Sequence, residues 1–400
     1  MVVGRAFANP GFRRIVVLML VGIVLLFRLL QIAMATGTVT LGYDFSFYWK
    51  AAWQLLDGQP IYSATQLTTP YAPQGQQGFL YPPPSAAFAI PFAALSSSTW
   101  TPGYLVWIAF GLAVAVVTIY AVSRAERLAA RFEVLRGAGW LLLVGAFLAM
   151  PAVLTELING NVHLLLFALL GVGWLGVRRG DARGDAIGGA AVGLAALVKI
   201  FPGVVILWFA LTRRWRAVGW AFGAALAASV VTLPVTGVQA WLDYPAVLLH
   251  MDAPVDPTWS VAPTTWLTAA LGFQLARTIV TLAGLGVVVA AARRLDARSG
   301  YGVAVLIGLL ITPILWSHYL TIATLPLLLG LAGGVPLWVV AASYVLLSGG
   351  NQTAFGDAGA VLLRLMPLLG LLLLLGGFVL GGARSRAGAI QPNTTSQATT

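Results

Sequence analysis

The sequence contains no cysteine, which excludes disulfides, thiolate metal sites and covalently attached c-type haem. Charge is also scarce: 9% of the 400 residues are Asp, Glu, Lys or Arg, against 59% hydrophobic. A soluble core of this length needs far more charged surface around it. There are only two lysines, Lys50 and Lys199, and three histidines. No phosphate-binding P-loop, dinucleotide glycine fingerprint or paired-His haem arrangement occurs, so the chain does not use ATP directly and is expected to need no cofactor.

What is present is apolar sequence in long runs, with a mean hydropathy of +0.90. Runs near 20 residues match the helix length that crosses a hydrocarbon layer of about 30 Å. A β-barrel would instead show short segments of alternating polarity; stretches such as Leu368 to Leu375 are continuously apolar. The fold class expected is therefore an all-α, polytopic membrane protein of about 11–13 helices.

The net charge of +11 would point to nucleic acid in a soluble protein. Here the arginines sit in short clusters between apolar runs: Arg5/Arg13/Arg14, Arg124/Arg127/Arg131/Arg136, Arg178/Arg179/Arg183, Arg213/Arg214/Arg216, Arg293/Arg294/Arg298 and Arg384/Arg386. That is the positive-inside pattern, and no nucleic-acid partner is expected. Two polar segments, 36–82 and 236–272, hold no arginine and are expected to face outward. This gives a cytoplasmic N-terminus over 1–14, one membrane domain over 15–382 and a cytoplasmic, disordered tail over 383–400. The N-terminal apolar run lacks a clear cleavage pattern and reads as a retained first span.

Spans are expected at 15–35, 102–123, 139–157, 162–177, 217–235, 274–292, 301–316, 319–332, 335–348 and 358–380. Segment 83–97 opens on Pro82-Pro83-Pro84 and is short. Segment 186–212 lies between two basic clusters and must enter and return, with a break at Lys199-Ile200-Phe201-Pro202-Gly203. Broken backbone at membrane depth is tolerated only where protein or a water-filled cavity surrounds it, so 199–203 is a place to look for a site. Within the first external segment, residues 45–56 read as an interfacial helix ended by Gly58.

Several polar residues have two readings each. Asp44, among aromatics at a membrane boundary, suits a general base, or it caps the helix over 45–56. His318, in Trp316-Ser317-His318-Tyr319, is either functional or an interfacial histidine beside aromatics. Lys199 and Arg277 can bind an anion or snorkel to the interface. Arg28 and Arg364 lie within spans with no partner evident. Glu156, Asn159, Asn161 and His163 form a polar knot around an Asn-Gly turn signal. His250, Asp252 and Asp256 could ligate a metal, but they read better as an exposed acidic loop, and no metal is expected.

Taken in order, the motifs resemble glycosyltransferase family 87, within the membrane-embedded GT-C type. The first span ends in Tyr43-Asp44, followed by Tyr48, Ala51, Leu55, Gly58 and Ile61-Tyr62. Phe79-Leu80-Tyr81-Pro82-Pro83 resembles the family's aromatic-Tyr-Pro-Pro entry. Asn159-Gly160-Asn161 is similar to its Asn-Gly turn, Lys199 to Pro202 to its Lys-x-x-Pro break, and Trp316-Ser317-His318-Tyr319 to its late His segment. The resemblance implies a bacterial plasma-membrane enzyme that transfers a sugar from a polyprenyl-phosphate donor to a glycolipid or lipid-linked glycan on the outer face. It implies Asp44 as general base with His318 beside it, and the late His favours mannose over arabinofuranose. Charge and depth place Lys199 and Arg277 at the donor phosphate, and Tyr48, Tyr81, Glu156, Asn159, Asn161, His163 and Trp316 are expected to contact substrate. The rival functions are a secondary transporter, which would show repeats and midplane ionisable groups, and a non-catalytic assembly partner.

Overall fold

The computed structural model describes residues 10–36, 41–70, 78–250, 260–349 and 359–388. Its elements among these residues are helical, in the order α1 (Pro10–Ala35), α2 (Tyr43–Leu56), α3 (Ala64–Thr68), α4 (Pro83–Ala93), α5 (Thr101–Ala125), α6 (Leu128–Arg131), α7 (Leu141–Ala149), α8 (Pro151–Asn159), α9 (His163–Arg179), α10 (Ala182–Val198), α11 (Gly203–Leu211), α12 (Trp215–His250), α13 (Pro263–Leu271), α14 (Phe273–Arg294), α15 (Ala297–Leu310), α16 (Thr324–Ala332), α17 (Leu337–Ser348) and α18 (Gly359–Gly388). The chain is an all-α, polytopic membrane protein. Among the described residues, five helices are long and apolar enough to cross a membrane alone, and a sixth crossing arises if the bent α7–α8 pair counts as one. The remainder of the 11–13 expected crossings would have to be built from shorter helices.

The departures from the expected spans have local causes. The stretch 139–157 is not one helix. It breaks between α7 and α8 with a bend of 68°. Pro151 opens α8, and Met150 before it takes an extended conformation, as residues preceding proline do. The carbonyls freed at the end of α7 are satisfied by Arg28 of α1: Nε donates to Leu148 O at 2.7 Å and Nη2 to Ala149 O. Arg28 Nη1 donates to Gln31 Oε1 at 2.6 Å. The arginine without an evident partner is thus a cap for a broken helix, 7% exposed. The side chain of Arg364 lies outside the described residues.

Span 301–316 ends early, at Leu310, and 319–332 begins as a 3-10 turn over Ser317–Ala323 before α16. The segment 236–272 is not a simple loop. The helical run of α12 turns at Gly237 (φ 68°, ψ 158°) and continues to His250, and α13 follows. His250 Nδ1 lies 2.8 Å from Ala246 O of its own helix; Asp252 and Asp256 lie outside the described residues.

The break at 199–203 is as expected, with α10 and α11 on either side. α10 is pressed between α9 and α12. Gly189 and Gly193, four residues apart, sit against the backbone carbonyls of Ala217 and Ala221, with no room for a Cβ. Small residues at this spacing let membrane helices approach closely. That contact fixes where the end of α10, and so Lys199, lies.

At the arginine-rich end, Glu126 is fully buried and joins three elements. It meets Arg178 at 2.8 Å and Arg298 at 2.7 Å, and accepts from Trp174 Nε1 at 3.0 Å. The α9 helix runs from this clamp back to His163, a length of roughly 25 Å at 1.5 Å per residue. The polar cluster around His163 therefore sits at the opposite end of α9 from Arg178 and the Glu126 clamp.

Candidate active site

The helix bearing Asp44 starts earlier than expected, at Tyr43, and its N-cap is Gly42 in the left-handed conformation. Asp44 is inside the first turn and is not the cap, which leaves its carboxylate for other partners. The face of α2 formed by Phe45, Tyr48, Ala52 and Leu55 packs inward at helical spacing. Gly58, with φ +65°, follows the helix end as expected.

The Asn-Gly turn comes next. Gly160 ends α8 with φ 69°, and a Cβ there would lie 2.9 Å from the Tyr104 ring and 3.0 Å from Phe45. Tyr104 OH donates to Leu157 O at 2.6 Å, and Trp107 Nε1 donates to Asn161 O at 2.9 Å. With its backbone pinned in this way, Asn161 presents Nδ2 to Asp44 Oδ2 at 2.8 Å and to Tyr81 OH at 2.9 Å. Its Oδ1 accepts from Val162 N at 2.8 Å, which fixes which end of the amide faces the carboxylate.

Asp44 keeps 17% of its side-chain surface exposed. Burial raises its pKa to about 6, against the opposing pull of the Asn161 hydrogen bond and the Lys199 ammonium. His318 Nε2 lies 3.8 Å from Asp44 Oδ2, and neither ring nitrogen of this buried histidine has a hydrogen-bond partner among the described residues. Trp316 stacks on it with ring centroids 5.8 Å apart.

On the far side of Tyr81 lies Lys199, 8% exposed. Its ammonium sits 3.0 Å from His163 Nε2, with the Tyr319 ring centroid at 3.9 Å and that of Tyr81 at 5.1 Å. His163 in turn meets Glu156: its backbone N–H donates to Oε1 at 2.7 Å, and Nδ1 lies 2.9 Å from Oε2. A cavity of about 480 Å³ opens onto this wall, lined by Tyr81, Lys199, Arg277, Trp316 and Tyr319 together with apolar residues such as Phe201 and Ile314.

The structure thus brings Asp44, Tyr81, Asn161, His163, Glu156, Lys199, Trp316 and His318 into one cluster, with Tyr48 stacked on Tyr81 at 4.6 Å and Arg277 on the same cavity wall. Asn159 ends α8 without a side-chain hydrogen bond to the cluster among the described residues. Glu156 and His163 do not line the cavity; they stand behind Lys199. Tyr319 and Tyr244, which line the cavity, and Trp107, which holds the Asn161 backbone, were missed as site residues by sequence reasoning. Tyr319 had a usable signal, since it adjoins His318; the other two had none. Glu156, His163 and His318 also offer three ligand atoms within 4.8 Å of one another, a set different from the acidic loop considered from sequence.

Chemically, the cluster holds a partly buried carboxylate, an oriented amide and cations beside an apolar cavity, groups that suit acyl- or glycosyl-type displacement with a charged leaving group. Among solved structures, the crystal structure of ArnT from Cupriavidus metallidurans in the apo state aligns over 92% of this chain and 79% of its own, with 15% identity and a TM-score of 0.38. At that score the likeness carries no functional weight. A curated relative from Mycolicibacterium smegmatis, named polyprenol-phosphate-mannose-dependent alpha-(1-2)-phosphatidylinositol pentamannoside mannosyltransferase, is 29% identical over 158 residues. The match covers 37% of this chain and 38% of the relative. The model of glycosyltransferase family 87 matches residues 79–315. That range holds Tyr81, Glu156, Asn161, His163, Lys199 and Arg277, with Asp44 and His318 outside it. Over more than half of its length the sequence fits this one family, and the chain is a member of glycosyltransferase family 87.

Proposed function

We propose that this membrane glycosyltransferase transfers mannose from a polyprenyl-phosphate donor to a glycolipid or lipid-linked glycan, on the membrane face opposite the arginine clusters, which the positive-inside rule makes the outer face of a bacterial plasma membrane. The observation that carries the reading is the shared wall of Tyr81. Its hydroxyl accepts from Asn161, which also holds Asp44, and its ring lies 5.1 Å from the Lys199 ammonium on an apolar cavity. A base for an alcohol and a cation for a leaving phosphate thus both adjoin one tyrosine.

In the proposed step the donor's lipid tail occupies the apolar part of the cavity and its phosphate meets Lys199 and Arg277. The acceptor hydroxyl gives its proton to the Asp44 carboxylate as its oxygen bonds to the anomeric carbon. The bond from that carbon to the phosphate oxygen breaks, and lipid phosphate leaves with the bonding electron pair. Asn161 holds the carboxylate in position, and His318 lies where it can donate to the acceptor or the phosphate. One base without a covalent nucleophile implies inversion, so a β-linked donor yields an α-linked product.

The test is transfer of labelled mannose from polyprenyl-phosphate mannose by the full chain in lipid, with Asp44→Asn as control. Expected is a loss of about 10²–10⁴-fold in rate for the variant, the usual worth of a general base. Normal transfer by Asp44→Asn refutes the assignment of the base. Transfer from a polyprenyl-phosphate arabinofuranose donor in place of mannose would move the chain to the arabinosyl branch, and movement of lipid or sugar without transfer would make it a transporter.

A further inference from the structure

The transfer step leaves two buried ionisable residues unused. Glu156 and His163 are 1% and 0% exposed and do not line the cavity that Lys199 faces. Both carboxylate oxygens of Glu156 face His163: Oε1 accepts from the backbone N–H at 2.7 Å, and Oε2 lies 2.9 Å from Nδ1. A carboxylate accepts only, so the proton of the neutral imidazole is assigned to Nδ1. The Nε2 lone pair is then left to accept from the Lys199 ammonium at 3.0 Å.

Glu156, His163 and His318 form a donor set of the kind that holds a divalent metal, with ligand atoms within 4.8 Å. In this chain His163 has no lone pair to give. Nδ1 is turned to Glu156, and Nε2 already serves the ammonium. The arrangement also keeps the cation usable. A direct Glu156–Lys199 ion pair would neutralise the ammonium, whereas the intervening imidazole holds carboxylate and ammonium apart. The rings of Tyr319 and Tyr81, at 3.9 and 5.1 Å, hold the charge without quenching it. The ammonium lines the cavity shared with Arg277.

We propose that Glu156 and His163 are a positioning pair that seats the Lys199 ammonium as a built-in cation at the donor-phosphate subsite, in the place where a Glu–His–His set would otherwise hold a divalent metal. The proposal rests on the lipid-phosphate donor of the preceding section. Glu156→Gln is the decisive substitution, because it replaces one acceptor oxygen by an amide donor. The amide turns the imidazole to its other tautomer and sets an N–H against the ammonium.

The full chain in lipid is assayed with polyprenyl-phosphate mannose, and folding is followed by tryptophan-fluorescence melting. Glu156→Gln is expected to lose about 10–100-fold in kcat/KM, the usual cost of removing a group that orients a ligand. The loss should appear in kcat and the donor KM, with the acceptor KM unchanged. If Glu156→Gln does not fold, His163→Asn carries the same test. Wild-type activity is expected to survive EDTA. Lys199→Ala is expected to be inactive and to bind Co²⁺ with a visible absorption band that the wild type lacks.

A folded Glu156→Gln with wild-type kinetics overturns the positioning role. EDTA inhibition reversed by a divalent metal, or a folded Lys199→Ala that binds no Co²⁺, overturns the claim that the ammonium stands in a metal's place. The Co²⁺ arm does not depend on the donor. A wild type that uses no polyprenyl-phosphate sugar therefore refutes the proposed function separately.

Discussion

His318 and Asp44 approach to 3.8 Å between Nε2 and Oδ2, just beyond a hydrogen bond, and the buried imidazole has no other polar partner among the described residues. A buried donor left unmade costs about 1–3 kcal/mol, so the gap is best understood as a place for a substrate oxygen. His318→Ala should therefore lower kcat by about 10²-fold or more, the lower range for a positioned proton donor or acceptor. It should leave the melting temperature unchanged or raised. A variant with full activity would assign the histidine to packing alone.

The pH dependence follows from Asp44. Its pKa is raised by burial to about 6, and the proposed base works only when ionised. Transfer should fall below about pH 6 and reach a plateau above it, and the fall should be absent from the residual rate of Asp44→Asn. Stability runs the other way. The folded pKa exceeds the ordinary value of 3.8, so ionising Asp44 costs stability. That cost is absent below about 3.8, grows between there and about 6, and is complete above. Asp44→Asn should accordingly melt higher than wild type at pH 7.5 and no higher at pH 4.

Tyr81→Phe tests the orientation of the carboxylate. It removes one of the two acceptors of Asn161 Nδ2 while leaving the ring over Lys199. A loss of about 1 kcal/mol, the net worth of one such hydrogen bond, corresponds to roughly fivefold in kcat. A drop of several hundredfold would give the hydroxyl a direct part in the chemistry.

Gly193→Ala tests the helix contact that sets Lys199. The added Cβ runs into the carbonyl of Ala221, backbone that cannot rotate away. Overpacking typically costs about 1–3 kcal/mol. The variant should melt lower and lose activity per folded molecule, since α10 must shift to accept the methyl. Unchanged melting and activity would mean that α10 and α12 slide freely.

Much of the site was legible because it rests on local signals. Asp44 follows a span, Asn159-Gly160-Asn161 announces a turn, and Lys199 precedes a proline-marked break. All three lie where the sequence puts them. The roles of Glu156 and His163 were not legible as a pair behind Lys199. Residues seven and 36 positions apart meet there only because the Asn-Gly turn folds α8 back to α9 and α10 packs on α9. The cap reading of Asp44 failed for a one-residue reason: Gly42 takes the left-handed conformation and starts the helix before Asp44. The bend at Pro151 was missed because apolar runs conceal breaks when their hydropathy is continuous.

Arg28→Met should destabilise the protein by about 3–6 kcal/mol, because two carbonyls at the α7 end lose hydrogen bonds to a charged group worth about 1.5–3 kcal/mol each. Thermal melting in lipid reads the effect, and an unchanged melt would mean that the freed carbonyls find other partners.

The same arginine imposes an order on biogenesis. Residues Leu148 and Ala149 lie 120 and 121 positions after Arg28, so the first helix is made long before its acceptors exist. Only 11% of its span is buried in the finished protein. An arginine in a span is costly until it finds polar partners. Until the broken helix arrives, Arg28 has only Gln31 of its own helix among its hydrogen-bond partners in the finished structure. Arg28 acts as a latch that closes late in synthesis and joins the beginning of the chain to the segment carrying the site.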